Sequence, residues 1–297
     1  MKPARTLFVI LLLTMHYNSC GRVSIHNLPK DISGRIITTF NWCAYSIDLQ
    51  SQRRDSLRVC PNSCVPQVMT VGPLNTVVLK RSWGGTGSSL VPTSDQLLYL
   101  RSADSIWVVD TTLLSGHFLW CLSLDYNPNI NQYLMTGIMD SLRGAFVFDS
   151  TLKVIAHITH PTNNFSVSSS AFLLSDTTIL MSMGGETYMY FLNREALQHL
   201  SPHSLLKVDR TRQRAILVDR AEPQFFLMDL NSMEESELPL YRAADNSDAT
   251  FSSNGRFVAY WSLTGLSDLA TLTIYDLSTG IYYETRHHNV AELFWID

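Results

Sequence analysis

The sequence predicts an all-β chain folded as a six-bladed β-propeller, with seven blades as the alternative. Three observations carry that expectation. Apolar runs of about four to eight residues alternate with Gly, Asn, Asp and Ser clusters, which is strand-and-turn patterning. One order of segments recurs: polar turn, apolar strand, linker, second apolar strand closed by Asp or Asn, polar hairpin, third strand. The closing residues Asp48, Asp110, Asp149, Asn193, Asp229 and Asp276 stand 62, 39, 44, 36 and 47 residues apart. All but the first spacing lie near the ~40–45-residue period of a four-stranded propeller blade. A lone antiparallel meander cannot bury both faces, whereas meanders packed around a ring do. A β-sandwich also has short regular strands, but not this fixed order of turn and closing residue.

The N-terminus stands apart from the repeat. Lys2 and Arg5 precede a run from Leu7 to Met15 that is apolar except for Thr14. That run is too short for a bilayer anchor, which takes ~20 apolar residues. A positive flank, a short apolar run and small residues after it mark a secretory signal peptide. Its end, Tyr17-Asn18-Ser19-Cys20, resembles a bacterial lipobox, which makes Cys20 the candidate lipidation site. The rival is an ordinary cut after Gly21. Residues 1–20 are thus expected as a lipoprotein-type signal peptide and 21–297 as one propeller domain. Processing removes Lys2 and Arg5 and takes the formal charge from −4 to −6. No basic block is present, so nucleic acid is not expected as a partner.

Export changes how the cysteines read. Cys43, Cys60, Cys64 and Cys121 would meet an oxidising compartment, where disulfides persist. Cys60 and Cys64, in CPNSC, are the candidate small-loop disulfide, although four cysteines allow three pairings. No second Cys or His pair lies at zinc-ligand spacing, so no metal is assigned.

The repeats follow in order. DISGRIITTFN with AYSIDLQSQRR is the first. An insertion near residues 60–88 comes next, holding CPNSC, the Gly-rich SWGGTGSS and the short strands VMTVGP and TVVLKRS as an extra hairpin. PTSDQLLYLRS with SIWVVDTTLLSG is the second copy, and NPNINQYLMTG with GAFVFDSTLKV the third. LLSDTTILMSM with TYMYFLNREALQ and DRTRQRAILVDR with QFFLMDLNSMEE are the fourth and fifth. FSSNGRFVAYWS with LTIYDLSTGIYY is the sixth. The ending VAELFWID reads as a first strand that pairs with N-terminal strands to close the ring.

The sixth copy is the clearest. Asn254-Gly255 is a strong tight-turn signal, with φ > 0 expected at Gly255. Beyond it, Phe257 and Ala259 should share one strand face and Val258 and Tyr260 the other. This copy resembles the TolB-type, WD40-like (PD40) repeat, whose usual turn reads Ser-Pro-Asp-Gly. Ser253 and Asn254 replace its Pro and Asp, while Gly255, Arg256, Tyr260, Ser262, Asp276 and Gly280 fit. The resemblance implies a six-bladed propeller and no particular activity, because the fold hosts binding, scaffolding and several chemistries.

Known catalytic signatures are missing from the sequence. The Gly84–Ser89 stretch lacks the Gly-Lys-Ser/Thr ending of a phosphate loop, and no G-x-S-x-G elbow occurs. The pairs His157/His160, His199/His203 and His287/His288 fall at strand ends or loops, where exposed histidines are ordinary. Pro202 argues against a helix through the second pair. The acidic group Glu234, Glu235 and Glu237 reads as a solvated hairpin. Trp83, in the Gly-rich loop, and Tyr126, in DYNPN, are the candidate exposed binding-rim aromatics.

Together these features describe a non-enzymatic, cofactor-free binding or scaffolding propeller whose partner is a protein or a glycan. It is expected in the bacterial cell envelope, lipid-anchored on the periplasmic or outer-membrane face, with secretion as the alternative. The competing reading is a lactonase-, lyase- or glycosidase-like propeller enzyme with a metal in its central funnel.

Overall fold

A computed structural model of the chain describes residues 22–24, 28–40, 43–57, 64–71, 77–83, 96–103, 106–113, 119–151, 153–159, 170–222, 224–240, 243, 248–263, 270–288 and 292–296. These residues form 25 strands and no helix. After β1 (Arg22–Ser24) come β2 (Arg35–Phe40), β3 (Cys43–Asp48) and β4 (Arg53–Leu57). Next are β5 (Cys64–Val71), β6 (Val77–Trp83), β7 (Gln96–Ala103) and β8 (Ile106–Leu113). The third group is β9 (Leu119–Asn127), β10 (Gln132–Met139), β11 (Leu142–Phe148) and β12 (Val154–Ile158). The fourth is β13 (Ala171–Ser175), β14 (Thr178–Met183), β15 (Glu186–Phe191) and β16 (Ala196–Ser201). The fifth is β17 (Ser204–Asp209), β18 (Arg214–Asp219), β19 (Gln224–Asp229) and β20 (Glu235–Leu238). Finally come β21 (Ala249–Phe251), β22 (Phe257–Leu263), β23 (Ala270–Asp276), β24 (Tyr282–His288) and β25 (Leu293–Ile296).

These strands build a β-propeller. Each group from β5 to β20 is a four-stranded antiparallel meander, and β25-β2-β3-β4 is a fifth four-stranded sheet. The remaining sheet, β21 to β24, gains β1 as a parallel fifth strand on β24, with Arg22 opposite Tyr282. The first strands touch in the cyclic order β5, β9, β13, β17, β21, β25, and β25 returns to β5. No seventh sheet occurs among the described residues, so the seven-blade alternative gains no support.

Ring closure follows the expectation for the C-terminal tail. β25 pairs antiparallel with β2, Ile296 opposite Arg35 and Leu293 opposite Thr38, so the last described strand joins β2, β3 and β4 in one sheet. Leu293 and Trp295 are buried, and the Trp295 indole N–H donates to Ser33 O at 3.0 Å.

The recurring Asp has a local physical cause. Asp48, Asp149, Asp229 and Asp276 each close the third strand of their sheet and accept backbone N–H groups of the following hairpin through Oδ1. Donors are Ser51 at 2.7 Å, Thr151 at 2.8 Å, Asn231 at 2.7 Å and Ser278 at 2.8 Å. Such Asx turns satisfy hairpin donors that the ladder leaves open.

Asp110 is different, and it corrects the sequence reading. It lies inside β8, the fourth strand of its sheet. The stretch near 60–88, expected as an insertion, supplies β5 and β6 as that sheet's first two strands. QLLYLRS and IWVVDTTL are therefore third and fourth strands, one place later than expected. Every hairpin of a meander presents the same strand–turn–strand pattern, so pattern alone does not number the strands.

β22 shows how the repeat buries both faces. Phe257, Ala259 and Trp261 pack with Ile36, Ile47 and Trp295 of the following sheet. Val258 and Tyr260 pack on the opposite side with Ile216, Val218 and Phe225 of the preceding one. Each fully buried large apolar side chain contributes ~1.5–3 kcal/mol. The turn that launches the strand is held by Ser252, whose Oγ donates to Asn254 Oδ1 (2.8 Å) and accepts the Phe257 N–H (3.0 Å). Gly255 sits there at φ +60°.

Candidate partner-binding groove

In these meanders the hairpins joining first to second strands and third to fourth strands lie at one end of the ring. Charged side chains stitch neighbouring sheets together there. Arg210, in the turn after β17, forms an ion pair with Asp125 of β9 and donates through Nε to Leu173 O at 2.9 Å. Asp125 also accepts the Leu173 N–H at 2.8 Å, and Asn127 Nδ2 donates to Leu173 O at 2.7 Å. Those bonds tie β9, β13 and the β17–β18 turn.

Farther from the axis, arginines at the start of second strands do the same work. Arg214, the first residue of β18, reaches Asp209 Oδ2 through Nη2 at 3.0 Å and donates to Gly255 O of the next sheet. Arg256, just before β22, reaches Asp276 within its sheet and Asp31 ahead of β2, each at 2.6 Å. Burial alone would push the Asp276 carboxyl up. Hydrogen bonds from Arg256 and Ser278 outweigh it and hold the group well below the usual carboxylate range.

Among the described residues, the seam between the β9–β12 and β13–β16 sheets has no such arginine. Extending the β10–β11 register by one residue places Gln132 opposite Asp149, as Arg214 stands opposite Asp229 and Arg35 opposite Asp48. Outside the inner-strand bonds this seam opens into a groove of about 430 Å³. Val147, Ile158 and Tyr190 form its buried floor. Ile155, 50% exposed, stands on its rim, and Gln132 and Leu192 line its sides. Five consecutive residues, 155–159, border it, so the strand β12 presents its edge as well as its side chains.

The electrostatics of the groove are one-sided. Its described lining includes two exposed carboxylates, Asp176 in the β13–β14 turn and Glu195 in the β15–β16 turn, and no Lys or Arg. Burial, with a smaller push from Glu195, raises the pKa of the Tyr190 phenol. Arg194 is adjacent in sequence but lies over the Phe191 ring, 3.8 Å from its centroid. His157, also in the lining, stacks on Phe146 at 4.5 Å.

The residues singled out from sequence do not gather here. Cys20 and Cys60 lie outside the described residues, and Cys64 opens β5. Cys43 is an exposed free thiol, and Cys121 is buried, its Sγ donating to Ser123 O at 3.5 Å. Trp83 is the last residue of β6, opposite Cys64, rather than part of a loop. Tyr126, expected exposed, is buried; its ring lies 4.7 Å from that of Tyr133 and its hydroxyl donates to Asn131 Oδ1 at 2.8 Å. Tyr126 is covered within its own sheet, by Tyr133 directly opposite on β10 and by the Asn131 turn, a strand pairing that the DYNPN stretch alone does not reveal. His287, expected exposed, is buried in β24. His203 pairs with Glu235 at 2.9 Å and stacks on Phe226 at 3.9 Å, pinning the outer strand β20. Among the described residues no three His, Cys, Asp or Glu side chains gather as metal ligands.

Sequence reasoning missed the groove residues Ile155, Asp176 and Glu195. One signal was legible: the adjacent apolar pair Val154-Ile155, both exposed, in a short outer strand.

No protein-family model matches the chain, and no curated protein matches it. Solved structures do resemble it. A chain from a nidogen–laminin complex aligns with TM-score 0.58 at 9% identity, covering 87% of this chain and 97% of that one. A Lactobacillus plantarum protein aligns with TM-score 0.51 at 11% identity, covering 90% and 100%. The dihydro-haem d1 dehydrogenase NirN aligns with TM-score 0.44 at 12% identity, covering 89% of this chain and 55% of its own. At these identities the first two matches establish the β-propeller fold alone.

Proposed function

We propose that this chain is a non-enzymatic binding or scaffolding protein of the bacterial cell envelope. In this reading the six sheets are six blades of one TolB-like ring, and Cys20 carries a lipid anchor. The observation that carries the binding role is the groove between the β9–β12 and β13–β16 sheets, with apolar floor, exposed Ile155 and an accessible strand edge. An apolar recess beside a strand edge suits a protein segment better than a glycan, because the edge supplies main-chain bonds and the recess accepts a side chain. The molecule itself shows that an outer edge takes an added strand: β1 lies along β24. One structural neighbour of the same fold comes from a nidogen–laminin complex, which accords with a binding role without specifying a partner.

The test is a photo-crosslinking residue at position 155 in the expressed, processed protein, with position 263 as control. Leu263 is also exposed but belongs to β22. One discrete adduct at 155 and none at 263, with the identified partner binding at least about tenfold more weakly to Ile155→Asp, supports the groove. Equal adducts at both positions, or none, overturn it. A stoichiometric divalent ion in the purified protein would instead favour the metal-dependent enzyme.

A further inference from the structure

Two outer seams of the ring are filled by an arginine that bridges to the next sheet, and among the described residues the groove seam is not. Arg214 reaches the carbonyl of Gly255 in the β21–β22 turn, and Arg256 reaches Asp31 in the segment before β2. Each target lies in the segment leading into the neighbouring sheet's second strand. Asp176 occupies that same place at the groove seam, in the β13–β14 turn, and Gln132 occupies the register position of Arg214. A carboxylate thus stands at the receiving place, as Asp31 does for Arg256, while the register position that holds Arg214 in the β17–β20 sheet holds a neutral side chain here.

We infer that the groove accepts an extended partner segment carrying an arginine or lysine, whose cationic head sits against Asp176 and Glu195 while a neighbouring apolar side chain covers Ile155. The inference rests on the groove being the partner site and adds the chemistry of what enters it. Charge complementarity favours a cation, since the described lining offers two carboxylates and no Lys or Arg, and its one histidine, His157, is stacked on Phe146. The connection that follows β12, residues 160–169, contains no Lys or Arg and cannot supply one. Arginine suits the position best, because its planar fork can meet a carboxylate with two parallel hydrogen bonds.

The experiment uses the processed full chain and two fluorescein-labelled peptides, one of alternating Ile and Arg and one of alternating Ile and citrulline. Citrulline keeps the shape of arginine and removes the charge. The Arg peptide should bind about tenfold tighter in fluorescence anisotropy. The double variant Asp176→Asn, Glu195→Gln should erase that difference while keeping the parent melting temperature. Gln132→Arg should supply the missing bridge from within, raise the melting temperature and weaken the Arg peptide by about tenfold.

Equal affinity for both peptides, each weakened by Ile155→Ser, leaves the groove as a docking site and overturns the cation. An Arg preference that survives the double variant overturns it too, because the attraction is then general to an acidic surface. Unchanged melting and unchanged peptide affinity in Gln132→Arg would show that the register equivalence has no spatial meaning, and the inference falls. Binding seen only after residues 160–169 are replaced by a Gly-Ser linker would assign the groove to the chain's own connection and likewise overturn it.

Discussion

Arg256 Nη2 lies 2.6 Å from Asp276 Oδ2 in its own sheet, and Nη1 of the same guanidinium lies 2.6 Å from Asp31 Oδ2, ahead of β2. One side chain therefore couples the end of a third strand to the seam where the ring closes. Asp276 is fully buried and also accepts the Ser278 N–H, so it is both cap and anchor.

Asp276→Ala should cost roughly 1–3 kcal/mol, the usual loss when a buried acceptor is removed and its donors are left unmatched. Urea unfolding followed by tryptophan fluorescence measures it. The folded-state pKa is depressed, so the associated stability is present above about pH 3.9, the unfolded value. It is lost as pH falls from there toward the folded value. Asp276→Asn should therefore be destabilising at pH 7 and flatten that acid limb. An unchanged acid limb would show that the carboxylate's charge is immaterial.

A pair of glycines separates backbone strain from the closeness of the latch. Gly255 and Gly184 have nearly equal positive φ, +60° and +62°. A Cβ on Gly184 meets nothing within 4 Å, whereas one on Gly255 would meet Arg212 Nη1, Asp209 Oδ2 at 2.5 Å and Arg214 Nη2 at 2.6 Å. Gly184→Ala should cost about 1 kcal/mol, the left-handed backbone penalty alone. Gly255→Ala should cost clearly more, because the ion pairs of Asp209 must also shift. Equal losses in thermal melting would mean the latch moves aside freely.

These residues also show which parts of the architecture a sequence exposes. The Asn254-Gly255 turn, the alternation from Phe257 to Tyr260 and the Asp at third-strand ends are local devices, decided within about ten residues, and each was legible. The β5–β8 sheet was misnumbered because strand position depends on which strand lies nearest the axis, a property of the whole ring. The groove was hidden for a similar reason. Gln132, Ile155, Asp176 and Glu195 come from four separate segments, and what unites them is a missing arginine, visible only once strand registers can be compared.

Closure at the C-terminus offers a test of cooperativity. Trp295 is buried against Phe257, rings 6.4 Å apart, and bonded to Ser33 O. Trp295→Ala should cost about 3–5 kcal/mol, the range for deleting a buried aromatic. Removing residues 293–296 also leaves the β2 edge without its partner, a template for pairing between molecules. That truncation should lower the unfolding midpoint and shift size-exclusion chromatography toward oligomers. A truncated chain that elutes and melts like the parent would make β25 an appendage.

His287 makes the same region sensitive to mild acid. Its side chain is buried in β24, and among the described residues neither His287 Nε2 nor the nearby Gln52 Oε1 has a hydrogen-bond partner. Burial lowers the pKa below the usual histidine value, and the neighbouring Arg54 and His288 push it the same way, against a hydrogen bond that the ring donates to the Gln52 backbone carbonyl. The folded state therefore favours neutral imidazole, while the unfolded chain takes up its proton near pH 6.5. Stability from this group is present above pH 6.5 and is lost as pH falls through that value toward the folded pKa. For a single proton the slope is at most about 1.4 kcal/mol per pH unit. Urea midpoints measured between pH 7.5 and 5 should fall more steeply for the parent than for His287→Gln, which keeps a polar side chain but cannot be charged. Parallel pH profiles for the two proteins would show that His287 does not take up its proton on unfolding in this range.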